Sequence, residues 1–283
     1  MFAAAFLAAA MVTRARFLMG TVCEITAPPG VAEPAFAEAA RIEAAISTWR
    51  SDSELSRINA GSQGSFEVYE LLRDVTALSR ETGAAFDPLV RPILDAWKIR
   101  DSGSVPDAQT IADAVRRANL DNVTFNDGSI ALKNGARFEE GGFGKGYALD
   151  RMLATTTADD VVINFGGQIA VRGEHVVAIA DPNDRDRPVM NVTIRNESLS
   201  TSSGSEKSFT VGGRRFTHIV DPRTGEALPP RGSVSVIDAS ALRADVLSTA
   251  LYVMGRDAGV AWARAHGVHA IFISESGEIK ETK

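Results

Sequence analysis

"DVVINFGGQIAVRGEHVVAIAD", residues 160–181, decides the fold class. Glycines divide it into three short apolar runs, 160–165, 168–173 and 175–181, which read as successive strands. The same pattern recurs on both sides. "SFTVGGRRFTHIV", 208–220, reads as a hairpin around Gly212-Gly213. "SIALKNGARFEE", 129–140, reads as two short strands around Asn134-Gly135, the strongest short-range hairpin signal. "RFLMGTVCEIT" (16–26) reads as a first strand, and "GSVSVI" (232–237) and "HAIFIS" (269–274) as late ones. Helical spacing predicts helices in 34–50, in 66–83 ending at Gly83, and in 108–119, 147–158 and 258–267. Helices cluster early and antiparallel hairpins come later, which predicts an α+β fold and not a doubly wound parallel sheet.

The chain has 283 residues, enough for one large domain or two lobes around a sizeable core. Its net charge of −6 argues against a nucleic-acid partner, which needs a basic footprint. The one cysteine, Cys23, excludes an internal disulfide and a cysteine-based zinc site. The apolar run from Phe2 to Val12 is too short to span a bilayer. It reads as the remnant of a signal segment or as a short helix, with Met11 as an alternative first residue. Residues 1–15 are therefore set apart from a domain expected over 16–283, and no later segment approaches transmembrane length.

Several segments carry polar groups where chemistry could occur. In "ADVLSTALYVMG", 244–255, Asp245, Ser248 and Thr249 share one face of an otherwise apolar helix. Three hard oxygen donors suit Mg²⁺; alternatively the hydroxyls bond back to helical carbonyls and Asp245 caps the helix start. In "EEGGFGKGYALD", 139–150, four glycines and Lys145 precede a helix, as an anion site requires. Neither a Walker A loop nor a dinucleotide fingerprint fits, and a tight strand-to-helix turn explains the glycines equally well. "INFGGQIAVRG" places Asn164 and Gly166-Gly167 between two strands, which reads as structural. Ser200–203 could cradle phosphate or form a solvated loop. His218 lies in a strand just before the Asp221-Pro222 turn, and Asp87 before Pro88 reads as a helix cap.

Taken in order, "FLMGT", "STWRSDSELSRIN", "TGAAFDPLVRPILDAW", "GGFGKGYALD", "INFGGQIAVRG", "STSSG…HIVDPRTG" and "ADVLSTALYVMG" resemble the ApbE family of FAD:protein FMN transferases from about Arg16 to the C-terminus. The resemblance implies a two-lobed, T-fold-related α+β fold with antiparallel sheets, packed helices and a flavin cleft between the lobes. It implies Mg²⁺ and FAD, release of AMP, and attachment of FMN to a Thr or Ser of an acceptor protein such as a redox-complex subunit. Family targets are commonly flavinylated outside the cytoplasm. The alternatives are an FAD pyrophosphatase and a non-catalytic FAD carrier.

By this resemblance the metal falls on Gly144, Asp245 and Thr249, with Ser248 as a neighbour. FAD falls on Met19, Trp49, Ala85, Phe86, Asp87, Gly141, Lys145, Tyr147, Ser202 and Ile219. His218 and Asp245 are the expected catalytic pair, with His218 as the base. Three segments depart from the family pattern. Glu139-Glu140 replaces an Asp-Leu pair, "AWKIR" replaces a Trp-Gly run, and "TSSGSEK" is longer than usual.

Overall fold

The structure, a computed structural model, describes residues 10–205 and 207–282. The expected apolar helix or signal remnant therefore lies largely outside the described residues. The chain opens on β1 (Val12–Leu18) and β2 (Thr21–Ala27), a hairpin where one strand was expected. It turns at Met19-Gly20, both with positive φ. Helices α1 (Ala32–Ile46), α2 (Glu54–Asn59), α3 (Phe66–Glu81), α4 (Arg91–Ala96) and α5 (Ala108–Arg117) follow. Ser53, Ser65 and Asp107 cap α2, α3 and α5 with side-chain acceptors, satisfying orphan N–H groups of the first turn.

The next hairpin, β3 (Val123–Asn126) with β4 (Ser129–Leu132), turns at Asp127-Gly128. Asn134-Gly135 does form a turn with positive φ, but no strand pairs across it; the chain runs on to a parallel bridge between Arg137 and Val90. Then come α6 (Gly144–Ala154), β5 (Val161–Phe165), β6 (Gln168–Arg172), β7 (Glu174–Asp181), β8 (Asp184–Arg195) and β9 (Ser198–Ser203). Two short hairpins, β10 (Ser208–Val211) with β11 (Arg214–Thr217) and β12 (Val220–Asp221) with β13 (Glu226–Ala227), precede β14 (Ser233–Asp238). The chain closes with α7 (Ala241–Met254), α8 (Arg256–Ala265), β15 (His269–Ile273) and β16 (Ile279–Thr282).

Eight strands form one antiparallel sheet in the order β1-β2-β5-β6-β9-β14-β15-β16. The α+β expectation holds. One face, with Ile25, Ile163, Phe165, Val236 and Phe272, carries α1, α6, α7 and α8. The other face, with Val171, Leu199, Ile237 and Ile271, is covered by Val177, Ile179 and Ile194 of the β7–β8 hairpin. Burial on both faces explains why β5 and the middle of β6 read as apolar runs and not as alternating strands. A smaller cluster joins Ile93 and Trp97 to Phe216, Val220 and Ala227, and the Trp97 indole donates to the Gly225 carbonyl at 2.7 Å.

Ser200–203 is not a solvated loop. It ends β9, a central strand, and strand alternation sends its hydroxyls two ways. Ser200 and Ser202 face α7, while Thr201 bonds Ser235 of β14 at 2.7 Å.

Candidate active site

Helix α7 lies on β9 and β14 between α6 and α8, and ten of its fourteen residues are buried. Its start is capped by Ser240, which accepts from Arg243 N, and by Asp150 of α6, which accepts from Ala241 N and Leu242 N at 2.7 and 3.0 Å. Asp245 is therefore not the cap. It sits further along the helix, 3% exposed, and reaches out of it. Its Oδ2 accepts from Gly146 N at 2.9 Å and its Oδ1 from Gln168 Nε2 at 2.6 Å.

The hydroxyls of Ser248 and Thr249 do bond back, to the Asp245 carbonyl at 2.9 and 3.3 Å. Both also meet Ser202 of β9, at 2.9 and 3.2 Å. One carboxylate and a patch of hydroxyls thus converge from α7 and β9. Among the described residues no cluster of three or more His, Cys, Asp or Glu could hold a metal by itself.

The glycine-rich segment is a 3-10 turn over Glu140–Gly142 that runs into α6 at Gly144. Its glycines have different reasons. A Cβ at 146 would stand 2.4 Å from the Ala241 carbonyl and 2.7 Å from Asp245 Cβ, so Gly146 lets α6 touch α7. A Cβ at 142 would stand 3.1 Å from the Phe86 ring and 3.6 Å from Thr249 Oγ1. A Cβ at 144 would stand 3.3 Å from both Met19 Cε and Glu140. Met19, Phe86, Gly142, Gly144, Ser202, Asp245, Ser248 and Thr249 therefore come together. Gly141 is exposed and Lys145 half-buried on the same turn, whose first N–H groups lack intrahelical acceptors by construction.

Ala85 and Phe86 are buried beside this turn. Asp87 caps no helix: its Oδ1 accepts from Leu89 N at 2.7 Å in a local turn, and α4 starts later, after Val90. Burial pushes the Asp87 carboxyl up to about 7. Tyr147 sends its hydroxyl to Glu67 of α3 at 2.8 Å, beside Arg41 and Arg151, and this polar network occupies the ring's polar end. Ile219 is buried, and its carbonyl accepts from Leu228 N at 2.9 Å.

His218 joins β11 to β12. Its Nδ1 lies 3.0 Å from the Lys207 carbonyl. A carbonyl only accepts, so in the neutral ring Nδ1 carries the proton and Nε2 is the basic nitrogen. Its neighbour Thr217 lies against Gly204 at the end of β9, where a Cβ on the glycine would also meet the Tyr252 hydroxyl of α7 at 3.3 Å. The residue before the histidine thus reaches the end of the α7–β9 junction.

Trp49 sits in the loop after α1, 65% exposed, and does not pack that helix. The Arg100 guanidinium lies over its ring, 4.1 Å from the centroid. Arg100 also bonds both oxygens of Glu139, at 2.7 and 2.6 Å, and the Thr48 carbonyl at 3.2 Å. Glu140 takes the Thr48 backbone N–H at 3.0 Å and its hydroxyl at 2.5 Å. Both glutamates are buried. Desolvation, with the Glu139 charge beside it, pushes Glu140 up to about 7. Two of the three departures from the family pattern, Glu139-Glu140 and Arg100, therefore meet in one network. The sequence held no signal that they pair. Gln168 was equally hidden, although a polar residue directly after Gly166-Gly167 in a core strand was the available clue.

The ApbE family model matches residues 19–272. An FAD:protein FMN transferase of Klebsiella pneumoniae (strain 342) is 30% identical over 262 residues, covering 82% of this chain and 73% of the relative. The crystal structure of the ApbE protein from Thermotoga maritima superposes with a TM-score of 0.89 at 28% identity, covering 97% of each chain. The apo form of the Pseudomonas stutzeri flavinyl transferase ApbE gives 0.85 at 25% identity, covering 97% of this chain and 95% of that one.

Proposed function

Because the chain belongs to the ApbE family of FAD:protein FMN transferases, we propose that it moves FMN from FAD to a Thr or Ser hydroxyl of an acceptor protein, with Mg²⁺ at Asp245 and release of AMP. One observation carries this reading: a carboxylate, 3% exposed, held between α6, β6 and α7 beside a glycine-rich turn and a hydroxyl patch. A buried carboxylate on a helix–helix contact gives the fold little that an apolar residue would not. It gives a divalent cation one hard ligand, the usual protein share for Mg²⁺ shared with substrate phosphates.

The residues present fit the ion. Asp245, Thr249 and the Gly144 carbonyl supply oxygen donors only, and the buried Gln168 Oε1 has no hydrogen-bond donor among the described residues. When bound, Mg²⁺ supplies charge neutralisation at the pyrophosphate. The protein's share is positioning. The first turn of α6 and Lys145 face the phosphates, and Met19, Phe86 and Trp49 offer apolar surface to the flavin nucleotide. His218 Nε2 accepts the proton of the acceptor hydroxyl as its oxygen bonds to the FMN phosphorus; the P–O bond to AMP breaks, and AMP leaves with the electron pair. Ser248 and Ser202 hold Thr249 within their hydroxyl patch.

Incubation with FAD, Mg²⁺ and a candidate acceptor tests this. Transfer predicts flavin fluorescence on the denatured acceptor band with release of AMP. AMP and free FMN without a labelled band would reassign the chain as a pyrophosphatase, and neither product would make it a carrier.

A further inference from the structure

Gln168 is the second residue that holds Asp245, and nothing in the reaction as described so far uses it. It begins β6, directly after the Gly166-Gly167 turn, and is 4% exposed. Its Nε2 donates to Asp245 Oδ1 at 2.6 Å, a short, charge-assisted bond. That bond fixes which way the amide faces, because the reverse orientation would press a carbonyl oxygen against a carboxylate oxygen. Its Oε1 is consequently left with no donor among the described residues, although it is fully buried. A buried acceptor without a donor is uncommon and calls for one. Here the orphan atom stands on the amide that grips Asp245, whose Oδ1 also has the Ser200 hydroxyl at 3.5 Å.

We propose that Gln168 is a positioning residue for Asp245: Nε2 fixes the rotation of the carboxylate, and Oε1 accepts a hydrogen bond from a water of the bound metal's shell. This rests on the reading of Asp245 as a metal ligand. Gly146 N holds the other oxygen, so the carboxylate is clamped from α6 and β6 before any ion arrives. Partners of this kind orient a ligand and raise its affinity without touching the metal, and their loss typically weakens binding by about 10–100-fold. An apolar side chain at 168 would remove the 2.6 Å bond to Asp245 Oδ1, beside which the Ser200 hydroxyl stands at a longer 3.5 Å.

The test is equilibrium Mn²⁺ binding with FAD present, read from the resonance of free aqueous Mn²⁺, on the wild type, Gln168→Leu, Gln168→Asn and Asp245→Asn. The expected result is a loss of about 10–100-fold for Gln168→Leu and a smaller loss for Gln168→Asn, which keeps the amide but shortens its reach. FAD affinity without metal should stay near wild type, while the melting temperature falls modestly because Asp245 loses a charge-assisted donor. A purely structural role would instead lower all three together, and that result overturns the proposal. Wild-type Mn²⁺ affinity in Gln168→Leu also overturns it when Asp245→Asn has lost binding. Should Asp245→Asn bind Mn²⁺ as the wild type does, the metal reading itself fails first. If Gln168→Leu does not fold, Gln168→Asn decides alone, since unchanged affinity there contradicts the role.

Discussion

Arg100 does two jobs with one guanidinium, covering the Trp49 ring and neutralising Glu139, which also has the Arg91 guanidinium at 3.4 Å. Removing one member of a buried ion pair usually costs about 3–5 kcal/mol, because the remaining charge stays desolvated. Arg100→Leu should fall at or below that range in urea unfolding, since Arg91 recovers part of the pairing. Adding Glu139→Leu should restore most of the loss, and strictly additive effects would show that the pair is not coupled. The same Arg100→Leu variant should shift tryptophan emission, because Trp49 loses the cation over its face.

His218 belongs to the same scale. Its ring is anchored through Nδ1 to a backbone carbonyl, so His218→Ala should bind FAD almost normally. Transfer should fall by about 10²–10⁴-fold, the usual cost of losing a general base. Equal losses in FAD affinity and in transfer, measured by fluorescence titration and in-gel fluorescence, would make His218 a residue that shapes the pocket.

At the scale of elements, the α6–α7 contact depends on one missing side chain. Gly146→Ala would place a methyl 2.4 Å from the Ala241 carbonyl, a distance that neither helix backbone can accept without moving. Overpacking of this kind costs about 1–3 kcal/mol. It would also pull Gly146 N from Asp245, so thermal unfolding and metal affinity should both suffer. A variant as stable as the wild type would mean that the helices have room to slide.

Two buried carboxyls next to this contact set a pH dependence. Burial pushes Asp87 from an ordinary 3.8 to about 7, and burial with the Glu139 charge pushes Glu140 from 4.5 to about 7. Between those values the folded apo protein holds protons that the unfolded chain has released. Stability should therefore fall as pH rises from about 4 to about 7 and level off above. Asp87→Asn keeps the acceptor for Leu89 N and should flatten the slope of melting temperature against pH; an unchanged slope would assign it elsewhere.

Across the whole molecule, what the sequence disclosed follows a physical line. Patterns that depend on neighbours along the chain were readable: the Gly212-Gly213 hairpin, the buried helix α7, and the early helices followed by later hairpins that give α+β. Patterns that depend on partners far along the chain were not. Met19 turns the first hairpin at φ 48, in a region a methionine seldom visits, so Gly20 alone marked the turn. Asn134-Gly135 made its turn but lost the pairing to Asp127-Gly128, because two adequate hairpin signals compete for one strand. The hydroxyls of β9 looked like a loop because partners such as Ser235 for Thr201 and Ser248 for Ser202 lie 34 and 46 positions away. The site was legible as a set of motifs and not as a geometry. Asp245, Ser248 and Thr249 share a helix face, but the Gly146 and Gln168 donors that fix the carboxylate lie 99 and 77 positions upstream.

Under the proposed function, Asp245 couples a divalent cation to FAD. A divalent cation would be the strongest partner for an ionised carboxylate in so dry a site, and it would carry charge neutralisation to the phosphates of FAD. Metal and FAD must then tighten each other by the same factor. The most direct measurement is calorimetric titration of FAD with and without Mg²⁺, on the wild type and on Asp245→Ala, followed by transfer assays on the same samples. FAD should bind more tightly with Mg²⁺ in the wild type, and Asp245→Ala should lose both that difference and FMN transfer. Metal-independent FAD binding in the wild type, with transfer intact in the variant, would contradict the proposed coupling.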